Sequence, residues 1–381
     1  MLKTPKSVNH KKKILFYTPM SLRYGGGFEE WLRKTTYLLS SNYVIRIIYG
    51  DIGYPYKLDL KAILSYYSNK ATLIPVHYIR LPGPIYIISP RSYMVLIREC
   101  KNSDIVYFNS AFFLQELWLL MARAMSRTRV IVGFHSSLMF NRGHDILFMN
   151  FSRHLLRRFD EFHTLNQQDK SMLESLGFQH VHTIHNYLLD TEIPAVKNRP
   201  PTDCTKFVIV GRYEKMKGID VIISTIEAYL VNNLSNPLST FHFYGAGTHK
   251  ECIANLINNY PTRVFDHGYQ TDKRIVYADK NFILLPSKAE SFSLVLIEAM
   301  SYGIPAIATP TNGAKEIIKS HKTGFVLKDY SVNSFLEVIL NIESLSQQTH
   351  ENMSRDCYDE VRRQYSERYF YKKIVKIMEG D

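Results

Sequence analysis

Short apolar runs rich in β-branched and aromatic residues recur along the first half of the chain, at 13–18, 43–49, 105–108, 130–134 and 162–165. Each reads as a buried strand. Between them lie stretches with helical spacing of apolar positions, such as 29–40 and 114–125. This alternation predicts βαβ units, hence a parallel sheet with helices on both faces. A Pro-rich polar segment, 194–203, breaks the rhythm and reads as a linker. Strands then resume at 207–210, 241–244, 282–285 and 304–308, and a last helix is predicted at about 367–379. No short repeat or low-complexity tract interrupts either half. The expected organisation is α/β, with two Rossmann-like, doubly wound domains at 1–195 and 196–365. The 366–381 segment is expected to cross back to the first. Two such domains are expected to face a central cleft at the C-terminal edges of their sheets, where these folds take ligands.

Length and composition agree with two globular domains: 381 residues, 45% hydrophobic and 22% charged. A 13% aromatic share with 26 Tyr implies amphipathic surface. No run of 18 apolar residues is present, so no segment is expected to span a membrane. The basic start, 1–13, has no apolar stretch behind it and does not read as a secretory signal. Cys100, Cys204, Cys252 and Cys357 are far apart, without a Cys-x-x-Cys pair. That argues against a zinc site or a disulfide framework and fits a reducing cytoplasm. The net charge of +12 is uneven: residues 1–195 hold 24 Lys+Arg against 14 Asp+Glu, and the remainder 23 against 21. The basic first half is expected to meet something anionic, namely a membrane surface, a phosphorylated acceptor or nucleic acid. No nucleic-acid motif accompanies the charge, so nucleic acid is not expected as a partner.

The most informative segment is 286–305, PSKAESFSLVLIEAMSYGIP. A strand ends at Pro286, a short loop follows, and Ser293 is placed to cap a helix that begins at Leu294. Gly303 and Pro305 close that helix. The first amides, at Leu294 and Val295, form an anion site suited to phosphate. Glu290 precedes the cap and Glu298 lies just over a turn inside, so the two carboxylates can hold different parts of one extended ligand. On spacing alone, a pair of surface glutamates flanking an ordinary βα turn fits equally well.

Glu290 through Glu298, with Ala-Met and Gly303-x-Pro305 after them, resembles the Glu-x7-Glu signature of the family 4 retaining glycosyltransferases of GT-B fold. The resemblance implies that Glu290 contacts the donor sugar and Glu298 the ribose hydroxyls. It also implies that the amides of Phe292, Ser293 and Leu294 hold the distal phosphate. The usual family form has glycine at the position of Ser291, and often at that of Ser293. The resemblance covers nearly all of the second domain and, more loosely, the first. Before the linker, Ile184-His185-Asn186-Tyr187 departs from the family's Ile-Pro-Asn-Gly, and no role is assigned there.

A second cluster, VIVGRYEKMKG at 208–218, follows the first strand of the second domain. Gly211 permits a sharp turn, leaving Arg212 and Lys217 as a pair of cations that can neutralise a diphosphate. It resembles the family's Gly-Arg … Lys-Gly element, and the following Gly218 favours Lys217 over Lys215. In the first half, Gly25, Gly26 and Gly27 lie between the first strand and a helix, so their backbone can approach phosphate or acceptor closely. The segment is neither a dinucleotide fingerprint nor a Walker loop, and it resembles the family's N-terminal glycine loop. His135 ends a strand; it suits either a satisfied core position or, as its family counterpart does, a hydrogen bond to the donor sugar. Gly245 and Tyr269 fall where the family places its nucleotide base, and Tyr269 suits an ordinary loop position equally well.

The expected activity is retaining transfer of a hexosyl group from a nucleotide-diphosphate sugar to a hydroxyl of a glycan or lipid-linked acceptor. Arg212 and Lys217 would stabilise the leaving diphosphate and Glu290 would orient the sugar. The first domain would hold the acceptor and the second the nucleotide sugar. No Asp-x-Asp motif occurs, so metal is expected to be dispensable and no cofactor is expected. The protein is expected in the cytoplasm, either free there or peripheral on the inner face of a membrane. Remaining alternatives are a nucleotide-sugar epimerase or phosphorylase on the same fold, or a non-catalytic nucleotide-binding subunit.

Overall fold

Ile14, Leu15, Phe16 and Tyr17 follow one another in β1 (Lys13–Met20), and all four are fully buried. A central parallel strand is covered on both faces, so consecutive apolar residues are required rather than alternation. The computed structural model describes residues 11–24, 26–52, 59–82, 85–110, 113–126, 128–136, 155–195, 204–232 and 239–380. Two units divide the chain: 1–184 together with 373–381, and 185–372.

In the first unit β1 pairs with β2 (Val44–Ile52), which pairs with β3 (Thr72–Pro75). A short antiparallel hairpin, β4 (Tyr78–Arg80) and β5 (Tyr86–Ile88), stands outside this sheet. The sheet continues through β6 (Ile105–Asn109), β7 (Arg129–Phe134), β8 (Glu161–Thr164) and β9 (Val181–Thr183), in the order β3-β2-β1-β6-β7-β8-β9. All of its pairings are parallel. The connecting helices start at the sites their sequences mark. Ser89 accepts from the Ser92 amide ahead of Pro90, and Asn166 accepts from the Asp169 amide.

The second unit repeats the plan with β10 (Thr205–Arg212), β11 (Ser239–Ala246), β12 (Val264–Asp266), β13 (Phe282–Leu285), β14 (Ala306–Ala308) and β15 (Gly324–Val326). Their order is β12-β11-β10-β13-β14-β15, again all parallel. This is the doubly wound order, and its switch point lies between β10 and β13. The corresponding point in the first sheet lies between β1 and β6.

The division between units falls after Ile184, ahead of the expected start at 196. Residues 185–194 pack with the second unit: His185 bonds Glu316 at 2.8 Å, the Leu188 amide donates to the Tyr365 carbonyl, and Tyr187 stacks on Phe370. Most of the expected linker, 196–203, lies outside the described residues. The last helix, Glu367–Glu379, is shared by the units. Its first part carries Phe370 and Glu367, which accepts from the Asp190 amide. At its end Glu379 takes the Tyr43 hydroxyl and Lys12, while Arg129 donates to the carbonyls of Ile377 and Met378. Among the described residues no helix is long and apolar enough to cross a membrane.

Candidate active site

At the switch point of the second sheet, the C-terminal ends of β10 and β13 deliver the two sequence clusters to one place. After Arg212 the chain makes a 3-10 turn, Lys215–Lys217, closed by Gly218 in the left-handed conformation at φ 70°. A Cβ on Gly218 would stand 1.9 Å from the Pro286 carbonyl oxygen, so only glycine lets this turn lie against the end of β13. The Lys288 amide donates to the Met216 carbonyl and joins the same loops. Lys217 Nζ therefore reaches Glu290 Oε1 at 2.6 Å, and the Ser287 hydroxyl donates to the same oxygen at 2.9 Å. Gly211, Arg212, Lys217, Ser287, Glu290 and Val295 line one pocket. Sequence reasoning named five of these six, Val295 through its amide. The sixth, Ser287, stands two residues past the end of β13, and that position after a strand was the available signal for it.

Arg212 opens onto this pocket with its side chain 46% exposed, bonding Glu214 at 3.0 Å. Ser293 occupies the N-cap position of the helix Leu294–Ser301, as its sequence implies, but its side chain makes no capping hydrogen bond. The first amides of this helix have no carbonyl within the helix to receive them. Phe292 is buried and packs its ring against His185 and Tyr365, so its side chain serves the core. Glu298 lies one helical stretch farther on, taking Lys273 Nζ at 2.7 Å and the Tyr277 hydroxyl at 3.1 Å. Burial, followed by the Glu298 charge, holds the Tyr277 hydroxyl well above its ordinary pKa, so it stays a donor. Lys273 and Tyr277 were not legible as site residues, because their approach to Glu298 depends on how separate segments pack.

Gly245 pairs with Gly211 across β10 and β11, and a Cβ there would lie 1.9 Å from the Gly211 carbonyl oxygen. Its requirement for glycine comes from that close approach. Tyr269 follows Gly268 and is 75% exposed.

The first unit gathers a separate group. Gly26 precedes the helix Gly27–Leu39, and its amide donates to the Glu29 carboxylate at 2.7 Å, so that amide is committed within the loop. Gly25 lies outside the described residues. Phe28, next after Gly27, packs edge-on against His135 with ring centroids 4.8 Å apart, and Trp31 lies 4.6 Å from the same ring. His135 Nε2 meets the Tyr107 hydroxyl at 2.8 Å. Burial, followed by the neighbouring His163, holds the His135 pKa well below its ordinary value, so the ring is neutral at pH 7.

Residues 190–360 match the family described as glycosyl transferases group 1, a span that includes Arg212, Lys217, Glu290 and Glu298. Over 158 residues the chain is 29% identical to a glycogen synthase of Thermodesulfovibrio yellowstonii, covering 39% of this chain and 31% of that protein. The chain thus spans about a third of the length of that relative, and 35% of a Staphylococcus aureus poly(ribitol-phosphate) α-N-acetylglucosaminyltransferase. The fold of the whole chain is similar to that of Anabaena HepE, solved in complex with UDP and glucose. There the TM-score is 0.74 at 15% identity, covering 97% of this chain and 99% of that one. Residues 190–360 thus match the group 1 glycosyl transferases, and the chain as a whole shares the GT-B fold.

Proposed function

We propose that the chain transfers a hexosyl group, with retention of anomeric configuration, from a nucleotide-diphosphate sugar to a hydroxyl of a glycan or lipid-linked acceptor. The observation that carries this reading is the meeting of Lys217 with Glu290 at the switch point, in one pocket with Arg212. A cation pair there stabilises the charge that develops on a departing diphosphate, commonly the largest catalytic term. Glu290 orients the sugar, Glu298 takes the ribose, and the backbone from Phe292 to Leu294 receives the distal phosphate. Gly211 lets the backbone turn beside that diphosphate. Tyr269 offers an exposed ring to the nucleotide base, and Gly26 and Gly27 with His135 serve the sugar and acceptor. Cations in place of carboxylates make the reading independent of divalent metal.

The test is a donor screen that begins with UDP-glucose, since the related HepE structure holds UDP and glucose. Nucleoside diphosphate should appear only when an acceptor is added, with chelator present throughout, and the product anomer should match the donor. Isomerised donor without an acceptor points to an epimerase, phosphate-dependent release to a phosphorylase, and inert bound nucleotide to a non-catalytic subunit. Each of those outcomes overturns the reading.

For the acceptor, we propose that the basic first unit docks on the anionic cytoplasmic face of a membrane. The supporting observation is the hairpin of β4 and β5. Tyr78 turns inward to bond Tyr17 at 2.7 Å, whereas Ile79, Leu81 and Ile85 are exposed at 50%, 38% and 43%. An apolar edge beside the exposed Arg80 suits an interfacial contact.

A further inference from the structure

We infer that Tyr107 and His163 are positioning residues that fix the tautomer of His135, so that its Nδ1 is presented as a hydrogen-bond acceptor to a ligand hydroxyl. The inference deepens the proposed function and rests on its placing of His135 at the donor sugar.

The bond polarity can be followed from the buried end. His163, on β8 and fully buried, has Nε2 at 2.7 Å from the Ile184 carbonyl oxygen. A carbonyl only accepts, so this nitrogen carries the proton. In the neutral imidazole that carries this one proton, Nδ1 holds a lone pair. The Tyr107 hydroxyl lies 2.5 Å from that Nδ1 and must donate to it. Having spent its proton, the phenolic oxygen accepts from His135 Nε2 at 2.8 Å. His135 is therefore protonated on Nε2 and carries its lone pair on Nδ1, which bonds no described residue.

The backbone is built for this chain of bonds. Gly133 on β7 pairs with Asn109 of β6 on one side and with His163 of β8 on the other. A Cβ at Gly133 would lie 2.2 Å from the Tyr107 hydroxyl oxygen. The missing side chain is the slot through which that hydroxyl reaches both imidazoles. Trp31 and Phe28 pack against the His135 ring and restrain its orientation. A neutral acceptor suits a sugar hydroxyl, because it accepts the hydroxyl's hydrogen bond without adding a further cation to the site.

The experiment uses full-length protein labelled with 15N-histidine, with the His135 signals assigned through a His135→Ala variant. Two-bond 15N–1H correlations should show His135 protonated on Nε2. In Tyr107→Phe they should show a mixture of tautomers, while kcat falls about tenfold, as for loss of one hydrogen bond to a reacting ligand. UDP affinity should stay unchanged, whereas general damage to the fold would lower it as well. A proton on His135 Nδ1 in the wild type overturns the inference, whatever the stability of the variant. So does a Tyr107→Phe protein with wild-type tautomer and kcat when His135→Ala is impaired. Wild-type turnover in His135→Ala overturns instead the placing of His135 at the donor sugar.

Discussion

Lys217 and Glu290 are 73 residues apart in sequence and 2.6 Å apart in the fold, and the contact joins the two segments to which the proposed chemistry is assigned. Arg212 lies in the same pocket. Replacing Arg212 or Lys217 by Ala should lower kcat about 100- to 1000-fold, the usual worth of one group facing developing charge, about 3–4 kcal/mol. Lys217 and Glu290 remain partly exposed, with side chains at 30% and 13%, so their pairing adds little to stability and both variants should fold. Wild-type turnover in either folded variant would remove the diphosphate assignment.

Glu290 and Glu298 have different neighbours, and their substitutions should separate. Glu298 is held by Lys273 and Tyr277, while Glu290 is held by Lys217 and Ser287. Glu298→Ala should weaken binding of bare UDP about tenfold, the worth of one charge-assisted hydrogen bond. Glu290→Ala should leave that affinity near wild type and depress turnover of the intact donor. Calorimetric titration with UDP decides between these roles, and equal losses in the two variants would mean that the assignment is wrong.

The division of labour between strands and loops was legible because buried parallel strands must be apolar on both faces, as in Phe282–Leu285, whose bounds match the sequence reading. Ser293 shows the limit: its position as N-cap follows from the pattern, whereas the direction of its hydroxyl depends on local packing. Glu290 and Glu298 were readable from spacing and resemblance. Ser287 stands only three residues before Glu290 in the same loop, whereas Lys273 and Tyr277 reach Glu298 only through the packing of separate helices. His163 was hidden for the same reason, since a histidine within an apolar strand carries no spacing signal of its own. The boundary at Ile184 was missed because composition marks where a chain turns polar, and the packing of Tyr187 on Phe370 is a tertiary contact.

Gly218→Ala tests whether the site depends on close approach of two loops. The substitution puts a side chain at φ 70°, which costs about 1–2 kcal/mol by itself. It also forces the turn away from the Pro286 carbonyl, carrying Lys217 with it. The thermal midpoint should fall and turnover should drop beyond what the lost stability explains. A variant with unchanged midpoint and rate would show that the turn relaxes without moving Lys217.

Glu116 offers a pH-dependent test of stability. It is fully buried in the helix Phe113–Ser126, bonded to the Ser110 hydroxyl, and burial pushes its pKa from 4.5 up to about 7. Between those two values the folded chain keeps a proton that the unfolded chain releases, so stability should fall as pH rises through this window. The full effect is about 3 kcal/mol. Glu116→Gln keeps the shape without the titration and should gain on the wild type as pH rises from 4.5 to 7 and hold that gain above it. Parallel midpoint-against-pH curves for the two proteins would show that Glu116 ionises freely.

Membrane docking by the first unit makes a prediction with a defined salt dependence. The exposed Ile79, Leu81 and Ile85 offer apolar insertion, and Arg80 with the surrounding basic charge offers attraction to anionic lipid. Each basic residue near such a surface contributes about 1 kcal/mol, and salt screens it within about 10 Å at 0.1 M. Full-length protein should therefore sediment with phosphatidylserine-containing vesicles at low salt, be released as salt rises, and ignore phosphatidylcholine vesicles. The exposed positions decide the choice of variants: Ile87 is half-buried in the hairpin, so Ile79→Glu and Arg80→Glu are the informative substitutions. Both should reduce sedimentation while turnover on a soluble acceptor is preserved, because neither residue belongs to the candidate active site. Failure of the wild-type protein to sediment with anionic vesicles at low salt would rule out this docking and favour a soluble acceptor. Sedimentation that both variants retain would move the contact to another face of the unit.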